Sequence, residues 1–226
     1  MDSSHLVKKL TLLFKQNANK AIAEKQSAYM RHLFPFFGIP KPLRSVLEKP
    51  LYKEYAPSAP IELCQILQAL WKKEEREFQY FALEYAWAHR KLWDRSLLPC
   101  FELCIREKSW WDTVDDLAGN CVGEYLKCFP DEIFKMDHWI EDSTLWIRRS
   151  ALIFQLKYKN KTDEERLFDY CEKTMHESDF FIRKAIGWAL RQYSKTSPIA
   201  VQKFIVRNER NLSPLSKKEG SKYLPS

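Results

Sequence analysis

Glycine is scarce in this chain, at 5 of 226 residues. That leaves few positions for tight turns and none for a glycine-rich phosphate loop, and neither GxGxxG nor a Walker-type lysine loop occurs. No apolar run approaches the roughly 18 residues that a membrane span needs. The six cysteines, Cys64, Cys100, Cys104, Cys121, Cys128 and Cys171, form no CxxC pair, and no histidine stands at zinc spacing from Cys100 and Cys104. No signal-peptide pattern precedes them, so all six are expected to be reduced, mostly buried thiols of a cytoplasmic protein. No metal site is expected.

What is abundant is aromatic and basic. The chain holds 8 Trp, 14 Phe and 10 Tyr, and carries a net charge of +7. The charge is uneven: +6 over residues 1–49, balanced over 50–110, −5 over 111–170, and +6 over 171–226. Basic flanks suit a polyanion such as DNA. The same lysines also suit ordinary solvated helix faces.

Helical periodicity dominates. Leu6, Leu10, Leu13 and Phe14 form one apolar stripe, Ile61, Leu63, Ile66, Leu67 and Leu70 a second, and Phe78, Phe81, Ala82 and Tyr85 a third. No strand alternation and no Asn-Gly or Asp-Gly hairpin turn appears. Ser96, Asp131, Ser143, Thr162, Ser178 and Ser197 each precede an apolar run and read as helix starts. Residues 35–42 and 55–60 are proline-rich loops, and the basic tail from about 213 is expected to fray.

The segment 78–83 aligns with 146–151 and 181–186, at separations of 68 and 35 residues, and a unit starting near Trp111 or Asp112 fills the gap at 34. A period of 34–35 residues with two helices per unit is the pattern of a helical solenoid. The expected fold is therefore all-α: one HEAT-like helical-repeat domain over residues 1–226, an α-α superhelix with a concave basic DNA-binding face. The repeated slot holds Arg148-Arg149 and Arg183-Lys184, a ladder of cations that matches the regular spacing of phosphates. A ladder that only keeps the solenoid soluble reads the same way.

Two features can carry chemistry. In Ser109–Asp116 (SWWDTVDD), Trp111 and Asp115 are four apart and share a helix face, while Trp110 and Val114 form a neighbouring stripe suited to the core. Gly187 sits mid-helix beside Trp188, where it costs about 1 kcal/mol relative to Ala and marks a close approach of another group. An indole face attracts a cation, and a nearby carboxylate adds Coulomb attraction. Purines alkylated at N3 or N7 carry such a charge, which also weakens their glycosidic bond. Excision then needs a carboxylate to stabilise the oxocarbenium-like sugar, a role that Asp115 can fill. Arg149 can hold a flanking phosphate or keep Asp115 ionised. From the residues alone, core tryptophans and a surface aspartate stand beside this reading.

The segments KSWWDTVD, WIRRSALIFQLKY, FFIRKAIGWALRQYSKTSP and LSPLSKKE, with AYMRHLFPFFGIPKP near the N-terminus, closely resemble the AlkD family. The resemblance covers about residues 5–220. It implies a HEAT-like solenoid that wraps duplex DNA and excises 3-methyladenine and 7-methylguanine without metal or cofactor. It places the catalytic carboxylate on Asp115, two lesion-facing tryptophans on Trp111 and Trp188, a phosphate contact on Arg149, and a tyrosine near the lesion on Tyr29. Lys157, Lys159, Lys184 and Arg191 match backbone-contacting or neighbouring basic positions. The loop Gly38-Ile39-Pro40-Lys41-Pro42 departs from a more polar family stretch that meets the strand opposite the lesion, and Lys41 adds a charge there. The region from Asn17 to Met30 keeps its length and helical pattern, as in active members of the family.

The resemblance further implies a monomer that works on duplex DNA containing alkylated bases, in the cytoplasm of a bacterium and associated with its nucleoid. Two other functions share parts of the pattern. A non-catalytic solenoid binding distorted or branched DNA would keep the basic face and tolerate loss of Asp115. A protein-binding HEAT adaptor would lack a steep salt dependence of DNA binding.

Overall fold

A computed structural model describes residues 3–224, and helix is the only regular structure among them. The chain divides into two compact units, residues 1–108 and 109–226. The first holds α1 (Ser3–Gln16), α2 (Lys20–Tyr29), α3 (Lys41–Glu54), α4 (Pro60–Trp71), α5 (Arg76–Ala88) and α6 (Leu97–Arg106). The second holds α7 (Trp111–Asp116), α8 (Gly123–Cys128), α9 (Phe134–Trp139), α10 (Leu145–Ile153), α11 (Glu164–Thr174), α12 (Phe180–Ser194), α13 (Pro198–Arg207) and α14 (Pro214–Gly220). None of these helices is long and apolar enough to cross a membrane. No cysteine joins a disulfide, and all but Cys128 are buried.

The repeat is visible in where helices begin. α3, α5, α7, α10, α12 and α14 start at 41, 76, 111, 145, 180 and 214, so the interval is 34 or 35 residues throughout. Side-chain bonds between helices keep the same spacing. Trp71 donates to the Glu107 carbonyl 36 residues on, Tyr158 to the Gly123 carbonyl 35 back, Tyr170 to Asp137 33 back, and Ser216 to the Arg183 carbonyl 33 back. Within each unit, repeats thus bond to their sequence neighbours, as in a one-dimensional array.

In the second unit α10 packs against α7 on one side and α12 on the other, and α12 packs against α14. α11 and α13 lie against α12 as partner helices. The core is built from the expected stripes: Leu6, Leu10 and Phe14 of α1, Leu63, Ile66, Leu67 and Leu70 of α4, and Phe78, Phe81, Ala82 and Tyr85 of α5 are all buried. Ile61 departs from its stripe and is 61% exposed, because it stands two residues before Leu63 and so faces the opposite side of α4.

Several boundaries differ from the sequence reading. Ser96 and Ser197 precede α6 and α13 as expected. The caps of α10, α11 and α12 are Thr144, Asp163 and Asp179, each one residue past the Ser or Thr expected. Asp163 accepts from the Arg166 amide and Asp179 from those of Phe181 and Ile182, since a carboxylate is the stronger acceptor at a helix N-terminus. Asp131 lies inside a short 3-10 turn, Pro130–Glu132, rather than ahead of α9. The tail expected to fray is α14. Ser213 caps it by accepting from the Ser216 amide, and Ser216 and Gly220 are buried against the rest of the unit.

The loop at 35–42 is tightly held. The amides of Phe37, Gly38 and Ile39 all donate to the buried Glu77 carboxylate, at 2.9–3.2 Å. Gly38 has φ +85°, and a Cβ there would lie 2.1 Å from the Asn19 carbonyl oxygen. Pro40 is the N-cap of α3, where its missing donor costs nothing, and Pro42 follows in the first turn.

Candidate active site

Trp110 is the extended N-cap of α7, which turns Trp111 and Asp115 onto one face and Val114 into the core. Trp110 itself joins an aromatic cluster with Trp146 of α10 and Phe181 of α12, the ring centroids 4.9–5.6 Å apart. This cluster brings α7, α10 and α12 together beside Asp115; Val114 is fully buried, as the sequence suggested, while Trp110 is half-buried.

Asp115 meets Arg149 of α10 in a bidentate pair. Arg149 Nε donates to Oδ1 and Nη2 to Oδ2, each at 2.7 Å. Arg149 Nη1 donates to the Phe181 carbonyl, and the guanidinium lies 5.9 Å from the Phe181 ring centroid. The arginine side chain is 4% exposed and the carboxylate 16%. All three guanidinium nitrogens are therefore engaged inside the protein. Of the two roles the sequence left open for Arg149, this geometry serves the carboxylate.

Burial pushes the Asp115 carboxyl above its ordinary value. Arg149 opposes that rise through hydrogen bonds and charge, while Asp112 and Asp116 add to it. The result is a largely dehydrated carboxylate with a fixed orientation and one small opening, where its field on a developing cation is little screened.

Beyond Asp116 the helix widens into a π turn, Leu117–Val122, before α8. Within it the Asn120 amide donates to Asp116, and Lys157 donates to the Asn120 carbonyl oxygen. Past the turn, Gly123 lies against the end of α10: a Cβ there would be 2.5 Å from the Phe154 carbonyl oxygen, and Tyr158 Oη donates to Gly123 O at 2.7 Å. The helix is thus fixed to the α10 region on both sides of the π turn, by Asp115 before it and Gly123 after. Such turns recur at functional sites.

Trp188 is half-buried on α12. Lys184 and Arg191, four residues before it and three after, share its face and converge on Glu219 of α14, at 2.5 and 2.7 Å. Gly187 is the close approach expected from the sequence, and the approaching group is α14: a Cβ on Gly187 would stand 2.6 Å from Glu219 Cβ. Lys157 and Lys159 are exposed, Lys159 in the left-handed conformation. Tyr29 and Lys41 belong to the first unit and are exposed, Lys41 lying 3.9 Å from Glu84.

The cation ladder is a set of internal bonds. Arg148 is held by Glu177 at 2.7 and 3.0 Å and by the carbonyls of Asp142 and Ser143, and Arg183 donates to the Glu177 carbonyl. Together with Arg149 and Lys184, every rung is tied to a carboxylate or carbonyl. The sequence alone assigned no site role to Glu219, Glu177, Asn120 or Phe181. Glu219 carries a usable signal, since it stands 35 residues after Lys184, one repeat on. No His, Cys, Asp or Glu groups of three or more could hold a metal ion among the described residues.

The comparisons agree with this architecture. The family model for DNA alkylation repair enzymes matches residues 10–224. A structure described as a predicted DNA alkylation repair enzyme from Enterococcus faecalis is 38% identical, with a TM-score of 0.85, covering 93% of this chain and 98% of that one. Two structures from Streptococcus mutans, the smu.31 protein of strain UA159 and AlkD2, are each 19% identical with a TM-score of 0.62. Each covers 79% of this chain, and 91% and 89% of their own, and they share its helical-repeat fold. No match was found among curated proteins. With a family model spanning nearly its whole length and a relative at this identity and coverage, the chain belongs to the family of DNA alkylation repair enzymes.

Proposed function

We propose that this protein is a DNA glycosylase that removes cationic N3- and N7-alkylated purines, 3-methyladenine and 7-methylguanine among them, from duplex DNA. The observation that carries the reading is the Asp115–Arg149 pair: a half-buried carboxylate oriented by one arginine, whose charge opposes the effect of burial on it.

The chemistry follows from charge. When the bond between sugar C1′ and the base nitrogen breaks, its electron pair leaves with the base, which becomes neutral. Positive charge passes to the sugar. Asp115 stabilises that charge, and a water oxygen then bonds to C1′ while its proton is lost to the carboxylate or to solvent. The base is a good leaving group because of its own charge, so no strong acid is required. Trp111, on the same face of α7, and Trp188 of α12 present indole surfaces to the alkylated nucleotide. Arg149 is assigned to positioning Asp115.

Lys157, Lys159, Lys184 and Arg191 of the second unit, and Lys41 and Tyr29 of the first, are assigned to the duplex, with phosphate contacts that set register and carry no sequence information. The protein acts without cofactor, as a monomer, in the cytoplasm and at the nucleoid. The reading is tested by incubating the protein with N-methylated duplex DNA and measuring free purine. Release of 3-methyladenine or 7-methylguanine supports it. Duplex binding without release identifies a non-catalytic DNA-binding repeat protein instead.

A further inference from the structure

The C-terminal end of α2 spends backbone energy that a helix cap does not require. Arg31 has φ +56° and His32 φ +58°, two consecutive residues in the left-handed region. A helix commonly ends with one left-handed residue, usually glycine. A second in succession, with side chains at both, adds backbone strain.

The turn is firmly braced. The Arg31 amide donates to the Ala28 carbonyl at 3.0 Å, that of His32 to Ser27 at 2.7 Å, and that of Leu33 to Met30 at 3.2 Å. Ser27 Oγ donates to the Phe34 carbonyl at 3.0 Å, Met30 is buried, and the Arg76 guanidinium stacks 3.8 Å from the Phe34 ring centroid. Between these anchors the chain carries Arg31, His32 and Leu33 out to solvent. Leu33 is 51% exposed, and Tyr29 beside it is 70% exposed. The exposed cations Lys20 and Lys25 stand on the same α2, in a segment whose net charge over residues 1–49 is +6.

We infer that the turn Arg31-His32-Leu33 is a duplex-DNA contact, a rigid prong whose Arg31 and His32 side chains meet phosphates while Leu33 packs on the sugar edge of a groove. The occupant is set by charge complementarity together with an exposed apolar tip, the combination found where proteins press on duplex DNA. This inference rests on the duplex-DNA reading above, and it adds three residues to which neither the sequence nor the resemblance assigned a role.

Glycine tests it cleanly, because glycine takes the left-handed conformation without strain and removes the side chain. Arg31→Gly, His32→Gly and Leu33→Ser would each be compared with wild type for binding to an unmodified duplex across a salt series, with thermal melting alongside. The glycine variants should melt at or above the wild-type temperature. Arg31→Gly should nevertheless bind about five- to tenfold more weakly, with a salt slope lower by about one. Leu33→Ser should weaken binding without changing the slope. Wild-type affinity in all three variants, or losses that only follow a fall in melting temperature, overturns the inference. Failure of the wild type itself to bind duplex at low salt overturns the duplex-DNA reading instead.

Discussion

Arg44 in the first unit is shared between Glu48 and Glu84, at 3.1–3.2 Å, with Tyr52 Oη 3.4 Å from both carboxylates. Arg149 in the second unit meets Asp115 alone, in a bidentate pair. Both arginines are buried and both lie near an aromatic ring, Tyr80 and Phe181 respectively. The difference lies in the number of carboxylates per cation and in access. Glu48 is fully buried and competes with Glu84 for one arginine, and burial pushes its carboxyl up to about 7. Asp115 is also raised by burial, but it has Arg149 to itself and keeps a small opening. The first arrangement is a packing element whose proton is negotiable near neutral pH. The second is a charge kept in place for something to approach.

The largest effect that would break this comparison is at Asp115. Asp115→Asn should lower base release by about two to three orders of magnitude, the scale of losing a preorganised electrostatic partner, and leave duplex affinity within a fewfold. Glu48→Gln should not affect release at all.

Arg149→Gln should cost less, about 10- to 100-fold in release, because the carboxylate remains but loses its orientation and its counter-charge. Its pH profile is the sharper readout. Release requires ionised Asp115, so it falls as pH drops, with a midpoint above the ordinary aspartate value of about 3.9. Without Arg149 the opposing influence is gone, and the midpoint should move further up. A profile that does not move would separate Arg149 from Asp115. The salt slope of duplex binding should be the same in this variant, whereas a slope lower by about one would return Arg149 to the phosphate role.

Gly123→Ala tests the second attachment of the π turn. A Cβ there meets backbone rather than a movable side chain, so the variant should lose about 1–3 kcal/mol in denaturant unfolding. An unperturbed stability would mean that α8 shifts freely against the end of α10.

The smallest effect concerns pH and the first unit. Folded Glu48 titrates above its unfolded value, so the folded state holds this proton more tightly. Its stabilising contribution is complete below the ordinary glutamate range and is lost as pH rises through about 7. Glu48→Gln stays neutral, so its melting temperature relative to wild type should climb between pH 5 and 8. A constant difference would show that Arg44 keeps Glu48 ionised throughout.

Much of this was legible in the sequence, and the parts that were not have physical reasons. The 34–35-residue period is written in the apolar positions of α5, α10 and α12, because each repeat must bury the same face. Asp115 and Arg149 stand one repeat apart, so a solenoid brings them together whatever the loops do. The caps at Asp163 and Asp179 slipped by one because Thr162-Asp163 and Ser178-Asp179 each offer two capping side chains in a row. The π turn had only a weak signal, Gly119-Asn120, two poor helix formers within Leu117–Val122, and its packing is what reveals the extra residue. The order of α14 was missed because its charge looks like that of a solvated tail. What holds it, Glu219 between Lys184 and Arg191 over Gly187, joins residues about one repeat apart, a pattern that shows only when the repeats are aligned. Arg44, Glu48 and Tyr52 do stand at helical spacing, and that signal was available.

The most direct test of the account is single-turnover release of 7-methylguanine and 3-methyladenine from N-methylated duplex DNA, wild type against Asp115→Asn, with duplex affinity measured on the same preparations. Release by the wild type and its near-complete loss in the variant, at similar affinity, is the predicted result. Equal release by both proteins would contradict the role of Asp115, and binding by both with release by neither would contradict the glycosylase itself.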